Sequence, residues 1–348
     1  MQAAQYLTAT RLEARICYER AETLCHSLGR PLLLCMALEG QWRHTQITDK
    51  MSSAMQIAER VYSLAQEQDD PALMLRAYNA LASTFYFLGD FESARQYARR
   101  GVQIWRSGSV QSSAEDFFSP PVYCLCYEAA SKWFLGEIAS CHALIDEAIS
   151  TAKELKDMNA LGLALIYAAD LGFAERNPAE VDRLASEVIE LSTRRNFLNY
   201  LASATIYRGW AHSTLGNPAE GIPLIEQGIR DYRATGSMRR MPYFLVQKAE
   251  ALYFADRVSE ALEAITEAEG VVERSEERWW CAELHRLRAV FLTAMGAEEN
   301  LIEASFCAAV RTANEQKSVS LEKRAEATYA EYRRLKANVP GRGFRLPL

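Results

Sequence analysis

The chain has 348 residues, 52 of them alanine, against only 17 glycines and 10 prolines; alanine and unbranched side chains lose little entropy in a helix, so a glycine-punctuated all-β fold is disfavoured. A hydrophobic share of 49% with 24% charged residues excludes disorder for most of the chain, and a net charge of −6 without long single-sign blocks argues against nucleic-acid binding by the whole surface. No apolar run approaches the roughly 20 residues of a membrane span, and MQAAQYLTATRLEAR lacks the basic-then-apolar order of a signal peptide, so a cytoplasmic protein is expected.

From the N-terminus onward, turn signals recur at a nearly fixed interval. Residues 9, 49, 89, 136, 176, 216, 256 and 297 anchor them, at spacings of 40, 40, 47, 40, 40, 40 and 41. Met1 enters an incomplete first unit, whose uncapped apolar end would favour a homodimer. Gly89-Asp90-Phe91 closes one apolar helix and opens the next. The extra seven residues of the long interval fall in SGSVQSSAEDFFS, residues 107–119. This Ser-rich stretch reads as a surface loop, a passive insertion or a lid over a groove. Asn177-Pro178-Ala179-Glu180 returns as Asn217-Pro218-Ala219-Glu220, with Asn as N-cap, proline at the first helical position and Glu reaching back to the cap. Residues 1–337 thus form one repeat domain, and residues 338–348 a basic tail following Arg333, Arg334 and Lys336. The tail is expected to be solvated, with contact to a nucleic acid or acidic partner as the alternative.

Packing signals repeat with the turns. The second helix of each unit carries a small or slim residue at its sixth place, among them Ala54, Ala94, Cys141, Val181, Gly221 and Ala261. Seven residues further on come Val61, Gly101, Ala148, Val188, Gly228 and Ala268. Ala82, Ala129, Ala169, Gly209, Ala249 and Ala289 do the same in the first helices, so neighbouring helices can approach closely. Trp42 breaks that pattern, and packing there must differ. Seven helix pairs with terminal half-units, none able to bury its apolar face alone, predict an all-α, right-handed superhelical solenoid of antiparallel pairs in which each unit touches only its neighbours.

Leu81, Ala82, Phe85, Gly89, Ala94 and Gly101 carry a pattern that resembles the tetratricopeptide repeat, with a longer period. Tyr207-Arg208-Gly209-Trp210-Ala211, Tyr232-Arg233-Ala234-Thr235-Gly236, Pro242-Tyr243-Phe244-Leu245 and the run from Glu277 to Arg286 look like the maltose-regulator-like C-terminal repeats of bacterial predicted ATPases. Those are fused to adenylate/guanylate cyclase or winged-helix DNA-binding domains. The resemblance implies the sensor or scaffold part of such a protein, without its effector.

Catalytic motifs are lacking: the sequence has no phosphate-binding loop, dinucleotide fingerprint, nucleophile elbow or His-Glu-x-x-His. No enzymatic activity, cofactor or metal is expected. Cys281 and His285 share a helix face without the four ligands of a structural zinc site. The eight cysteines lie mostly among apolar helical residues and read as reduced core thiols.

In a tetratricopeptide-like superhelix the first helices line the concave side. Reading 13, 10, 6 and 3 residues before the turn anchors gives an aromatic wall with a few polar groups, and the candidate partner-binding residues are Arg76, Asn79, Tyr86, Trp133, Asp170, Trp210, Tyr243, Glu250 and Tyr253. Such a wall suits a peptide or protein segment. Of adjacent Trp279 and Trp280, one should face the core and the other the surface. A small-molecule-sensing regulatory solenoid, or a truncated piece of a cyclase or ATPase, is the alternative.

Overall fold

A computed structural model of the protein describes residues 11–110, 119–337 and 343–348. Turn anchor 9, most of the Ser-rich loop and the first half of the basic tail lie outside the described residues. Sixteen helices and no strand are present among those described: α1 (Arg11–Ser27), α2 (Pro31–Thr48), α3 (Met51–Gln68), α4 (Pro71–Leu88), α5 (Phe91–Arg106), α6 (Pro120–Phe134), α7 (Ile138–Glu154), α8 (Met158–Ala174), α9 (Pro178–Arg195), α10 (Leu198–Thr214), α11 (Pro218–Ala234), α12 (Met241–Phe254), α13 (Val258–Ser275), α14 (Cys281–Ala294), α15 (Glu299–Glu315) and α16 (Val319–Lys336). From α2 to α15 they form seven antiparallel pairs, with α1 and α16 as single terminal helices. None is long and apolar enough to cross a membrane.

The turns sit where the sequence places them. Gly89, Gly136, Arg176, Gly216 and Asp256 all have positive φ, a conformation that ends a helix within one residue, and Gly296 does the same one residue before the last anchor. Asp49 is the exception, with φ −138°. Asp70, Asp90, Asp157, Asn177 and Ser318 cap the following helices through their side chains. Asn217 does not: the Glu220 amide bonds instead to its main-chain carbonyl at 3.1 Å. Glu180 turns to Arg183 at 2.7 Å rather than back to its cap.

Close helix approach is real at the small positions. A Cβ on Gly209 would lie 2.6 Å from the Gly221 carbonyl oxygen, and one on Gly228 would lie 2.8 Å from that of Ala202, so α10 and α11 meet backbone to backbone. Trp42 fits by hydrogen bonding, its indole N–H donating to Thr84 Oγ1 at 2.9 Å. At the N-terminal end, Ile16, Leu24, Leu28, Leu32, Leu33 and Met36 are exposed.

One expectation fails: units do not touch only their neighbours. The solenoid winds so tightly that turns of the C-terminal half dock on helix ends of the N-terminal half. Met238 N–H donates to the Ile47 carbonyl at 2.9 Å, Arg278 N–H to that of Phe87 at 2.7 Å, and Ser318 Oγ to that of Phe134 at 3.3 Å. Arg324 donates to the Ala174 carbonyl. Each acceptor belongs to the last two residues of its helix, where carbonyls have no intrahelical partner. Partners across this seam between superhelical turns stand 184 to 193 residues apart at Gln46–Arg239, Trp133–Ser320 and Phe134–Ser318. The ion pairs Lys50–Glu276 and Lys317–Glu92 flank it, the second at the surface.

The tail also departs from expectation. Arg345 pairs with Asp256 at 2.7 Å, Leu346 is buried, and its carbonyl accepts the Tyr253 hydroxyl at 2.9 Å. Residues 343–348 therefore cover the C-terminal end of α12 rather than standing free in solvent.

Candidate functional site

The first helices of the middle pairs are apolar nearly all round, and such helices are buried on every side. In α6 and α8 almost every residue is out of solvent. The concave wall is accordingly an interior. Of the nine candidate residues, eight are no more than 6% exposed, and the Arg76 side chain is 13% exposed while paired with Glu39 at 2.8 Å. The expected open groove is thus corrected to a closed axial core. Its filling comes from the turns that cross the seam, which insert Arg239, Arg240, Trp279 and Trp280. Both tryptophans are buried, against the expectation of one at the surface, because residues 276–280 form a turn wedged between two superhelical turns.

A column of tyrosines forms the middle of this core. Tyr127, Tyr167 and Tyr207 each stand nine residues before a turn anchor, on α6, α8 and α10. Their spacing of 40 was a readable signal that the four chosen offsets passed over. Tyr86 joins them, 5.8 Å from Tyr127 between ring centres, and Trp279 packs, tilted, between Tyr86 at 5.2 Å and Tyr243 at 4.7 Å. The Arg240 guanidinium lies over Tyr167, Tyr243 and Trp279 at 5.4 to 5.6 Å. It donates to Asp170 Oδ2 at 2.5 Å and to the Tyr207 hydroxyl at 2.9 Å. Arg240 itself has φ +70°, held by its own main-chain N–H on Glu277 at 2.8 Å. Glu277 also accepts the Trp279 indole N–H at 2.6 Å, and burial pushes its carboxyl above the usual range.

A second polar cluster lies beside it. Glu250 accepts the Trp210 indole N–H at 2.8 Å and Arg176 at 2.5 Å. Glu283 accepts Arg176, Arg286 and Arg324, at 3.0, 2.7 and 3.4 Å. Burial alone would raise the Glu283 carboxyl, but these three guanidiniums hold it far below the usual range. At the N-terminal end of the wall Arg43 and Arg76 likewise outweigh burial at Glu39 and keep it low.

The candidates are therefore brought together in part. Trp210 and Glu250 are bonded; Asp170 and Tyr243 share Arg240; Tyr86 and Tyr243 share Trp279; Trp133 stacks on Trp280 at 6.2 Å. Asn79 lies away from them on α4, and Tyr253 lies under the tail. Sequence reasoning assigned no role to Arg176, Arg240, Glu283 or Arg324, although Glu283 and Arg286 stand three apart on one helix. Several buried polar atoms have no hydrogen-bond partner: Asn79 Oδ1, Glu250 Oε1, and both amide atoms of Gln247, which occupies on α12 the place of the tyrosine column.

No protein-family model matches the chain. It is similar to an uncharacterized protein of Rhizobium meliloti (strain 1021), 21% identical over 273 residues that make up 78% of this chain and 26% of that protein. The chain thus spans about a quarter of the curated relative's length. Among solved structures it is similar to a Rap protein complexed with Competence and Sporulation Factor, with TM-score 0.61 and 12% identity over 97% of both chains. It is also similar to a human IFIT1 dimer with m7Gppp-AAAA, with TM-score 0.52 and 14% identity over 94% of this chain and 70% of that one. These likenesses establish the fold, a tetratricopeptide-like α-solenoid.

Proposed function

We propose that the chain is a non-catalytic protein-interaction module, the sensor or scaffold part of a bacterial signalling or transcription-regulating ATPase, acting in the cytoplasm. A peptide or protein segment enters its axial channel when the superhelical turns part along the seam. The observation that carries this reading is the set of unpartnered polar atoms on the concave wall, at Asn79, Gln247 and Glu250. A buried polar atom left without a partner costs about 1–3 kcal/mol. An extended segment brings one N–H and one C=O per residue, which supplies both kinds of partner. At the rim of the seam the main-chain hydrogen bonds and the ion pairs Lys50–Glu276 and Lys317–Glu92 are contacts that water can replace at small cost. Support comes further from the Rap and IFIT1 solenoids, each solved with something bound, and from the much longer Rhizobium relative.

A disulfide lock tests it. A Cβ on Gly136 would stand 3.2 Å from Val319 Cβ across the seam, close to the roughly 3.5–4.5 Å of disulfides. The Gly136→Cys, Val319→Cys variant, locked by oxidation, is expected to lose the partner recovered by the wild-type chain in a crosslinking pull-down, and to regain it on reduction. Equal recovery by the locked and reduced forms would remove the channel reading.

A further inference from the structure

Glu283 carries more donors than one carboxylate oxygen can serve. Three guanidiniums converge on its Oε1: Arg286 Nη2 at 2.7 Å, Arg176 Nη2 at 3.0 Å and Arg324 Nη1 at 3.4 Å. Arg286 has Glu283 Oε2 as well, at 2.9 Å. Glu250, the other carboxylate of this cluster, already serves Arg176 and Trp210 through Oε2. The five groups therefore sum to one surplus positive charge. Desolvation and the neighbouring guanidiniums of Arg176 and Arg286 hold Arg324 below its ordinary range, against the pull of Glu283. Arg176 Nε and the indole N–H of Trp280 are buried and have no acceptor.

Arg176 and Arg324 stand at the edge of this cluster, their side chains 24% and 19% exposed. Aromatic rings connect them: Arg176 lies over Phe173 at 5.4 Å, Phe173 stands 5.9 Å from Trp280, Trp280 stacks on Trp133 at 6.2 Å, and Arg324 lies over Trp133 at 5.6 Å. Solvent reaches both cations from the seam, while the rings behind them lower the local dielectric and strengthen any charge-assisted bond.

We propose that the seam between Arg176 and Arg324 is a binding site for a small oxyanion, a phosphate or a carboxylate, whose oxygens take the donors that Glu283 leaves underserved. The surplus charge supplies the attraction, and the donors are Arg176 Nε, which has no acceptor, and Arg324 Nη1, held by Glu283 at only 3.4 Å, while Arg324 Nη2 stays on the Ala174 carbonyl. Because Arg176 belongs to the turn after α8 and Arg324 to α16, a bound oxyanion bridges two superhelical turns and stabilises the closed form. The site stands apart from the channel reading, since it needs no parting of the seam.

The test is a titration with inorganic phosphate, and separately with acetate, at constant ionic strength. Tryptophan fluorescence follows it, with Trp133 and Trp280 as reporters, together with the melting temperature. The wild-type chain is expected to show a saturable fluorescence change and a higher Tm. A response to phosphate alone assigns the phosphoryl group, and one to acetate alone the carboxylate. Arg324→Gln should raise the midpoint at least about tenfold, while Arg333→Gln, on an exposed face of the same helix, should leave it in place. If circular dichroism shows Arg324→Gln unfolded, Arg324→Lys replaces it: charge stays, the fork is lost, and the midpoint should rise several-fold. No saturable response in the wild-type chain, or an unmoved midpoint in the folded Arg324 variant, overturns the site.

Discussion

Glu283 concentrates at one residue the electrostatic problem of the whole interior. It sits on α14 with almost no exposure, and its partners reach it from the turn after α8, from its own helix and from α16. Removing one partner of a buried ion cluster leaves uncompensated charge, which costs about 3–5 kcal/mol. Glu283→Gln is therefore expected to lower stability by about that amount in urea unfolding. Glu180→Gln, whose Arg183 partner is largely exposed, should cost less than about 1 kcal/mol. Similar losses in both variants would mean that the cluster is not holding the closed interior. Little of this was legible in the sequence. Arg286, three residues along the helix, was readable as one partner, but the other two lie 41 and 107 residues away, and no local spacing reveals them.

At the scale of the helix, the sequence spoke more clearly. Turn anchors, caps and the small positions follow from backbone sterics that act within a few residues, so Gly209, Gly221 and Gly228 could be assigned to close approach before any packing was known. Gly221 is the sharpest case, since a Cβ there would press on Ser213 Oγ and on the Gly209 carbonyl oxygen. Neither α10 nor α11 can yield without shifting its backbone, and overpacking of this kind costs about 1–3 kcal/mol. Gly221→Ala should lower stability within that range although alanine has the better helix propensity, and a calorimetric Tm at or above wild type would count against the backbone contact. What a single helix could not disclose was its surroundings. The concave offsets picked residues of which nearly all turn out to be buried, because whether a helix side meets water or another superhelical turn is decided by curvature. Curvature is the sum of small rotations spread over all units, and the uninterrupted apolar run in α8 was the available hint that its side is closed.

Over the whole molecule, the seam changes how stability is distributed. An open solenoid behaves as a chain of nearest-neighbour interactions, so loss of its last units leaves the first ones untouched. Here the turns before α12, α14 and α16 hold the ends of α2, α4 and α6. Removing residues 276–348, which takes away both Arg278 and Ser318, should therefore raise amide hydrogen exchange in α4 and α6, far from the cut, as well as in α12 and α13. Exchange rising only beside the cut would restore the nearest-neighbour description and make the seam incidental. The expected contrast belongs to this scale alone, because each main-chain hydrogen bond of the seam adds only about 1 kcal/mol on its own.

The docking of turns on the final carbonyls of helices also constrains how such a chain can evolve. Repeat proteins ordinarily gain and lose whole units by duplication and deletion, because each new copy meets the same neighbours as the old. In this chain every contact between Gln46 and Arg239, or between Phe134 and Ser318, spans the same central block of units. One copy more or fewer inside that block would bring each turn to the wrong helix end, all along the molecule at once. Length can drift at the two extremities, or between α5 and α6, while the number of central units behaves as an inherited constant, closer to the tooth count of a gear than to the length of a string.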